Sequence, residues 1–193
     1  MRDARRRAVF LDRDGTINEE VNHLSRAEQL RLLPNAAEGI KLLRQEGFLT
    51  IVVTNQSGVA RGYFSEQRVL EIHQALQALL AEAEAAVDGF YYCPHHPEAS
   101  CALYRRECEC RKPKPGMLLR AAKDFELDLV QCFVVGDKAI DILPGIELGC
   151  RTVLVLTGYG QETLKGGLPA QAQPSYIAAD LLDAARWMIR VYG

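Results

Sequence analysis

Short apolar runs recur along the chain, and longer segments with apolar residues on one face separate them. The runs predict five buried β-strands, because each is only a few residues long, is rich in β-branched or aromatic side chains, and is bounded by polar or turn-forming residues. The predicted strands are Ala8–Asp12, Phe48–Asn55, Gly89–Pro94, Gln131–Asp137 and Arg151–Gly158.

The amphipathic segments predict helices near residues 35–47, 65–86, 115–125 and 178–192. Asn35 is predicted to cap the first of these, with Glu38 at the capping-box position and Gly47 ending the helix. Residues 160–175 are rich in Gly, Pro and Gln, so we expect a mobile loop there.

The alternation of strands and helices predicts an α/β fold. It is typical of a parallel sheet with helices on both faces, so we expect a three-layer, Rossmann-like architecture. The length of 193 residues suits one domain spanning residues 1–193. Ligands of such sheets bind beyond the carboxyl ends of the strands, so the polar residues at those ends are the candidates for a site.

Composition narrows the possible partners. The chain is 48% hydrophobic and 25% charged, with a formal net charge of −2, as in an ordinary globular protein. This balance argues against nucleic acid or an anionic membrane as a partner. The basic stretch MRDARRR is not followed by an apolar segment, so we interpret it as a solvated tail rather than a secretory signal, and we expect a cytoplasmic protein.

Two aspartates, Asp12 and Asp14, end the first predicted strand in the stretch VFLDRDGTIN. Their charges repel at close range, and a divalent cation would relieve that repulsion. An EF-hand calcium loop is excluded, because Gly15 follows Asp12 too soon and a strand precedes the pair. A turn with incidental acids is the remaining alternative. Other polar residues at the same sheet edge favour Mg²⁺-dependent phosphate chemistry instead: Thr54, Asn55, Gln56, Ser57, Arg111, Lys112, Asp137 and Lys138.

Four of the six cysteines crowd into residues 93–110 together with two histidines. The patterns C-x-H and C-x-C suit a closed, tetrahedral Zn²⁺ site of structural type. The predicted ligands are Cys93, His95, Cys108 and Cys110. His96 and Cys101 are possible substitutes, and free thiols with a surface histidine are the plain alternative. Cys132 and Cys150 flank apolar strands and are expected to be small buried hydrophobes.

The motifs DRDGT, VVTNQSG, CRKPKPG and VVGDKAID together resemble the four-motif set of the haloacid dehalogenase-like phosphatases. Residues 8–158 resemble more closely the bacterial D-glycero-D-manno-heptose-1,7-bisphosphate 7-phosphatases, through FLDRDGTIN, YYCPHHP and CRKPKPGML. The resemblance implies a hydrolase of phosphoric monoesters that uses Mg²⁺, an aspartyl-phosphate and a structural Zn²⁺. It also implies a phosphorylated sugar substrate and a role in making nucleotide-activated heptose for lipopolysaccharide core or other surface glycans.

The same resemblance assigns roles to individual residues. Asp12 would be the nucleophile, and Asp14 first the acid and then the base. Mg²⁺ would be held by the side chains of Asp12 and Asp137 and by the Asp14 carbonyl. Thr54 and Lys112 would clamp the transferring phosphoryl group. Substrate contacts are expected from Arg13, Glu20, Asn22, His23, Asn55, Gln56, Ser57, Arg111 and Lys138.

The segment after Gly15, EEVNHLS, departs from the GYVH-type sequence of the heptose group, and we expect it to form a flap that touches the sugar. No large cap domain fits between the motifs, so the flap and the zinc loop, residues 93–110, are expected to cover the site. We expect a monomer with an open cleft. Asp141 stands at helical spacing from Asp137, and we expect it to orient Lys138 or cap a helix rather than bind metal.

The sequence is also compatible with other functions. Histidinol-phosphate phosphatases share the four motifs, although the loop between C-x-H and C-x-C is shorter in that group than the twelve residues here. A nucleic-acid end phosphatase is disfavoured by the acidic net charge. A zinc-stabilised binding module that has lost its chemistry is a further alternative, since a fold does not determine a function.

Overall fold

The structure, a computed structural model, describes residues 6–192, so the solvated tail predicted for residues 1–7 lies outside it over residues 1–5. At Arg7 that prediction is wrong, because its guanidinium lies 4.2 Å from the Phe48 ring centroid and 4.0 Å from that of Tyr192. The described residues contain six strands: β1 Ala8–Leu11, β2 Leu49–Asn55, β3 Gly89–Cys93, β4 Phe133–Gly136, β5 Arg151–Val155 and β6 Tyr176–Ala178. They form one parallel sheet in the order β3-β2-β1-β4-β5-β6. The parallel sheet expected from the strand–helix alternation is therefore confirmed.

Helices connect the strands and cover both faces of the sheet. They are α1 Ala36–Gln45, α2 Ser57–Ala60, α3 Glu66–Glu82, α4 Gly116–Asp124, α5 Ala139–Glu147, α6 Gly160–Lys165 and α7 Leu181–Tyr192. Two short 3-10 turns lie at Ala27–Gln29 and Leu129–Gln131. Within residues 6–192, no helix is both long and apolar enough to cross a membrane.

Side-chain alternation along β1 divides the core into two layers. Val9 and Leu11 pack with residues of α1, α3 and α7, while Ala8 and Phe10 pack with α4 on the opposite face. All four side chains are fully buried. Helix α5 also lies on the second face, where a Cβ at Gly145 would come within 2.5 Å of the Val134 side chain. This double cover explains why the strands are continuous apolar runs.

Some local predictions were wrong. The Asn35 side chain does not cap α1; it donates to Asp180 Oδ2 at 2.7 Å, and Asn35 itself adopts the left-handed region with φ of 64°. Helix α3 ends at Glu82 rather than near residue 86, because the chain turns at Glu84, whose φ is 57°. The contacts that these residues make with distant parts of the chain decided both outcomes. Such contacts cannot be inferred from the spacing of residues in the sequence.

The second half of the chain has more regular structure than its pattern predicts. Residues 160–165 form α6, so the loop predicted for residues 160–175 is wrong over that part. Strand β6 takes Tyr176–Ala178, so α7 begins at Leu181 rather than Ala178. Helix α5 was not among the predicted helices, although Asp141 was expected to cap one; it contains Pro144, which is a helix-breaking residue.

Candidate active site

Three neighbouring strands end at one place in the sheet. Because β1 lies between β2 and β4, Asp12 directly follows the central strand, Thr54 and Asn55 close β2, and Asp137 follows β4. The convergence expected from the strand pattern is therefore present in the structure.

Lys112 lies at the centre of this group, with only 1% of its side chain exposed. Its Nζ lies 2.6 Å from Asp12 Oδ1 and 2.7 Å from Asp141 Oδ1, and it donates to the Val53 carbonyl at 2.9 Å. Burial disfavours the ammonium, but the charges of Asp12 and Asp141 outweigh it and raise the pKa of Lys112. Lys112 is therefore a fixed positive charge beside Asp12.

Asn55 fixes the backbone that carries this lysine. The Lys112 N–H donates to Asn55 Oδ1 at 3.0 Å, and Asn55 Nδ2 donates to the Lys112 carbonyl at 3.1 Å. Asn55 was predicted only to contact substrate. The structure adds a positioning role, which needs residues from β2 and from the segment before α4 to meet.

The carboxylates of Asp12 and Asp137 lie close together at the end of the sheet, and burial disfavours the charged form of both. Burial raises the pKa of Asp12 to about 7, with Asp141 and Asp14 adding to the rise and Lys112 opposing it. Burial, with the charges of Asp12 and Asp141, likewise raises the pKa of Asp137 to about 8. Among residues 6–192, Asp137 Oδ1 finds no hydrogen-bond partner. Such an orphaned buried oxygen next to a second carboxylate is a suitable place for a cation.

Asp137 fits its place because two glycines leave room for it. A Cβ at Gly15, whose φ is 85°, would lie 2.3 Å from Asp137 Oδ2, and one at Gly158 would lie 2.4 Å from the same atom. That oxygen instead accepts from the Tyr159 N–H at 2.7 Å. The glycine of the DGT motif is thus required by close approach as well as by its left-handed backbone.

Asp141 completes a group of three carboxylates whose oxygens, one each from Asp12, Asp137 and Asp141, lie within 4.8 Å of one another. Both Asp141 oxygens already have protein partners, since Oδ1 meets Lys112 and Oδ2 accepts from the Lys138 N–H at 3.0 Å. The capping role expected for Asp141 is confirmed. Its ion pair with Lys112 was not foreseen.

Asp14 is held by four side-chain hydrogen bonds. Arg13 donates to both carboxylate oxygens at 3.1 and 2.9 Å, Asn18 Nδ2 donates at 2.9 Å, and Gln56 Nε2 donates at 3.0 Å. Burial favours the neutral acid, but these donors and the Arg13 charge outweigh it and lower the pKa of Asp14. The Gln56 amide also donates to Thr54 Oγ1 at 2.9 Å, so it ties Asp14 to the end of β2.

The expected substrate contact by Arg13 needs correction. Its side chain has no exposed surface and is paired with Asp14, so it supports that carboxylate instead of facing the solvent. His73 lies in the same interior, stacked on Phe90 with ring centroids 4.5 Å apart. Burial and the Arg13 charge lower the pKa of His73 to about 3, which keeps the imidazole neutral there.

A pocket of about 330 Å³ opens above Asp14. The three flap residues expected to contact substrate, Glu20, Asn22 and His23, line it. Lys138 lies with its Nζ 4.4 Å from the centroid of the Tyr159 ring and 3.3 Å from Glu20 Oε2. The other lining residues are Leu24, Asn55, Gln56, Ser57 and Tyr159. Tyr159 was missed, because it follows a predicted strand without a motif to mark it.

Arg111 is not among these lining residues. Its Nη1 donates to the His95 carbonyl at 3.1 Å, which joins it to the cysteine–histidine segment. The expected substrate contact by Arg111 therefore has no direct counterpart in this pocket.

The cysteine–histidine segment brings four ligand atoms together. Cys93 Sγ lies 3.5 Å from Cys108 Sγ and 3.7 Å from His95 Nδ1, and Cys110 Sγ lies 3.3 and 3.4 Å from the same two atoms. Tetrahedral zinc with Zn–S bonds of about 2.3 Å separates its ligands by roughly 3.6 to 3.8 Å, so the four residues could hold a metal ion.

The possible substitutes lie outside this group. His96 Nδ1 accepts from the Glu98 N–H at 3.1 Å, and Cys101 is not part of the cluster. Cys132 and Cys150 are buried in the apolar core, as expected.

Comparison with known proteins agrees with this geometry. Residues 109–184 match the HAD-hydrolase-like family model. The chain is 44% identical to a D-glycero-D-manno-heptose-1,7-bisphosphate 7-phosphatase of Thermosynechococcus vestitus over 187 residues, which covers 95% of each protein. It is 40% identical over 152 residues to the D-glycero-beta-D-manno-heptose-1,7-bisphosphate 7-phosphatase of Escherichia coli, covering 78% of this chain and 80% of that one.

A solved structure is also similar. The D,D-heptose 1,7-bisphosphate phosphatase of B. bronchiseptica, complexed with magnesium and phosphate, superposes with a TM-score of 0.83 at 32% identity. The alignment covers 96% of this chain and 99% of that chain. Together with the two relatives, it places the similarity over nearly the whole length of the protein.

Proposed function

The chain belongs to the D-glycero-D-manno-heptose-1,7-bisphosphate 7-phosphatases, a family of haloacid dehalogenase-like phosphatases, and we propose that it hydrolyses the 7-phosphate of this sugar bisphosphate. The protein is a phosphoric monoester hydrolase. The product would serve the synthesis of nucleotide-activated heptose for surface glycans.

The observation that carries the proposal is the arrangement of Asp12, Asp14 and Lys112 at the strand ends, where Lys112 pairs with Asp12 and Asp14 lines the pocket. Lys112 Nζ donates a hydrogen bond to Asp12 Oδ1, so Asp12 Oδ2 is the oxygen available to attack phosphorus. A bond forms between this oxygen and phosphorus while the bond between phosphorus and the ester oxygen of the sugar breaks. Asp14 gives its proton to the departing sugar alkoxide. Asp14 then takes a proton from water, which attacks phosphorus and releases Asp12.

The lowered pKa of Asp14 suits its second role as an ionised base. For the first role, a phosphate dianion arriving beside Asp14 would favour its protonated form, because like charges disfavour ionisation. Thr54 and Lys112 would hold the equatorial phosphoryl oxygens as charge redistributes.

The residues present fit a magnesium ion, since Asp12 and Asp137 are adjacent and Asp137 Oδ1 is unpartnered within the described chain. Asp12, Asp137 and the Asp14 carbonyl would hold it. When bound, Mg²⁺ supplies positive charge that neutralises the phosphoryl oxygens.

We also propose a structural Zn²⁺. Its ligands would be Cys93, His95, Cys108 and Cys110, whose ligand atoms lie close enough together to hold one metal ion. A cytoplasmic location remains a prediction. Single-domain organisation and a monomeric state remain predictions. The alignment with the relative from Thermosynechococcus vestitus over 95% of both chains supports the first.

Phosphate release in the presence of Mg²⁺ tests the proposed function. The substrates compared are the α and β anomers of heptose 1,7-bisphosphate, histidinol phosphate and 3′-phosphorylated DNA, and we expect a heptose anomer to give the highest kcat/KM. Asp12→Asn should lower kcat by at least about 10³-fold and Asp14→Asn by about 10²- to 10⁴-fold, with Tm little changed. Near-normal turnover by Asp12→Asn would refute the aspartyl-phosphate, and preference for another substrate would refute the heptose.

A further inference from the structure

One carboxylate, that of Glu20, stands on the wall of the pocket that opens above Asp14, outside the catalytic group. It shares this pocket of about 330 Å³ with Asp14, Ser57 and Lys138, and its side chain is 20% exposed. An ionised carboxylate only accepts hydrogen bonds, so Glu20 places an acceptor and a negative charge where the part of the substrate next to the phosphate must lie.

The flap holds this carboxylate in place. Glu20 Oε1 accepts from the Asn22 N–H at 2.8 Å. Asn22 and His23 have φ of 50° and 75°, a left-handed pair that costs free energy at each residue and persists only where its surroundings impose it. The His23 ring packs edge-on against Tyr63 with centroids 5.0 Å apart, which anchors the turn from outside. The position of Glu20 is thus built into the fold.

The second oxygen of Glu20 pairs with Lys138, a cation that also lies near Asp137. Oε2 lies 3.3 Å from Lys138 Nζ, and the same ammonium lies 4.0 Å from Asp137 Oδ1. Burial disfavours the charged lysine, but Asp137, Asp12, Asp141 and Glu20 together raise its pKa. A phosphate bound near Asp137 would compete for Lys138 and leave the Glu20 charge less balanced.

We propose that Glu20 is a specificity-determining residue that admits phosphate esters with hydroxyl groups next to the reacting phosphate and rejects esters with a second anion there. The proposal rests on the proposed phosphatase function and names the substrate class of that site. Hydroxyls donate to a carboxylate, whereas a second carboxylate or phosphate near Glu20 is repelled in a partly desolvated pocket. A heptose 1,7-bisphosphate satisfies this requirement, because its second phosphate lies at the far end of the carbon chain.

Two small esters isolate this effect. Glycerol 3-phosphate and 3-phosphoglycerate differ only in a hydroxymethyl group replaced by a carboxylate. The specificity ratio is kcat/KM for the first ester divided by kcat/KM for the second, measured by phosphate release with Mg²⁺. Glu20→Gln keeps the size of the side chain and removes its charge, and we expect it to lower the ratio by about tenfold or more. A merely structural role of Glu20 would change both rates together and leave the ratio constant.

Glu19→Gln is the matched control, because Glu19 is the adjacent residue with the same charge but is exposed and lies outside the pocket lining. Its ratio should stay within about twofold of the wild type, since exposed charges are screened by salt. An unchanged ratio in Glu20→Gln, or an equal fall in Glu19→Gln, would overturn the proposal. If the ratio falls in Glu20→Gln while the wild type ignores heptose bisphosphate, the proposed substrate fails and the role of Glu20 stands.

Discussion

At the scale of single residues, Lys112 is the charge on which the other catalytic groups depend. It balances two carboxylates, Asp12 and Asp141, in a place where water does not screen them. Lys112→Met keeps most of the side-chain volume but leaves both carboxylates unpaired. We expect it to lower the free energy of unfolding by about 3 kcal/mol and to remove phosphatase activity, as measured by urea unfolding and phosphate release.

A double-mutant cycle separates the ion pair from packing. Asp141→Asn combined with Lys112→Met removes one of the two unpaired charges, so the double variant should be more stable than the sum of the single effects by about 1 kcal/mol or more. Simple additivity would show that Lys112 acts through packing alone. Activity should stay absent in the double variant, because Asp12 still lacks its partner.

The site residues at the ends of the strands could be predicted from the sequence, but the residues that hold them in position could not. Asp12, Thr54 and Asp137 follow apolar runs, so a parallel sheet alone brings them together. The contacts of Gln56 with Asp14 and of Asn55 with Lys112 join positions 42 and 57 residues apart. Such contacts depend on side-chain direction and loop path, and hydrophobic periodicity contains neither.

At the scale of elements, the cysteine–histidine segment connects β3 to the catalytic lysine. Cys108 and Cys110 precede Lys112 closely in the chain, and Arg111 donates to the His95 carbonyl within the cluster. Cys108→Ser should lower bound zinc to less than about 0.1 mol per chain and make residues 94–110 several-fold more sensitive to protease, because binding of the metal is coupled to order in the loop. Metal analysis and limited proteolysis measure both effects.

Cys101→Ser is the control for this change, since it removes a thiol from the same loop outside the ligand cluster. It should keep the zinc content and protease resistance of the wild type. Zinc retained at full occupancy in Cys108→Ser, or absent from the wild type, would contradict the assigned site.

The prediction of helices and strands succeeded where burial of an element produces a clear apolar pattern in the sequence. It failed where contacts with other elements decide the local structure. The strands around Phe10, Val52 and Val134 are buried on both faces, and their apolar runs are visible in the sequence. Helix α6 and strand β6 are short, and β6 is a three-residue edge strand with Ile177 at 40% exposure. Their stability comes from neighbouring elements rather than from a periodic pattern of their own.

At the scale of the whole molecule, the crowded carboxylates make stability depend on pH and on Mg²⁺ together. Burial raises the pKa of Asp12 to about 7 and that of Asp137 to about 8, above the ordinary value of about 4 for an unfolded chain. A raised carboxyl pKa stabilises the fold below the unfolded value, and this contribution is lost as the pH rises through the folded value. The metal-free protein should therefore lose stability between about pH 4 and pH 8.

Added Mg²⁺ should reverse this loss, because it binds the ionised carboxylates and stabilises only the folded chain. We expect about 10 mM MgCl₂ to raise Tm by several degrees at about pH 8.5 and by roughly one degree or less at about pH 5.5. Thermal unfolding at the two pH values measures the difference. Asp137→Asn removes one of the charges, so it should make the metal-free protein more stable at the higher pH and weaken the Mg²⁺ effect. Equal stabilisation by Mg²⁺ at both pH values would mean that the ion binds elsewhere, since binding to this carboxylate pair depends on its ionisation.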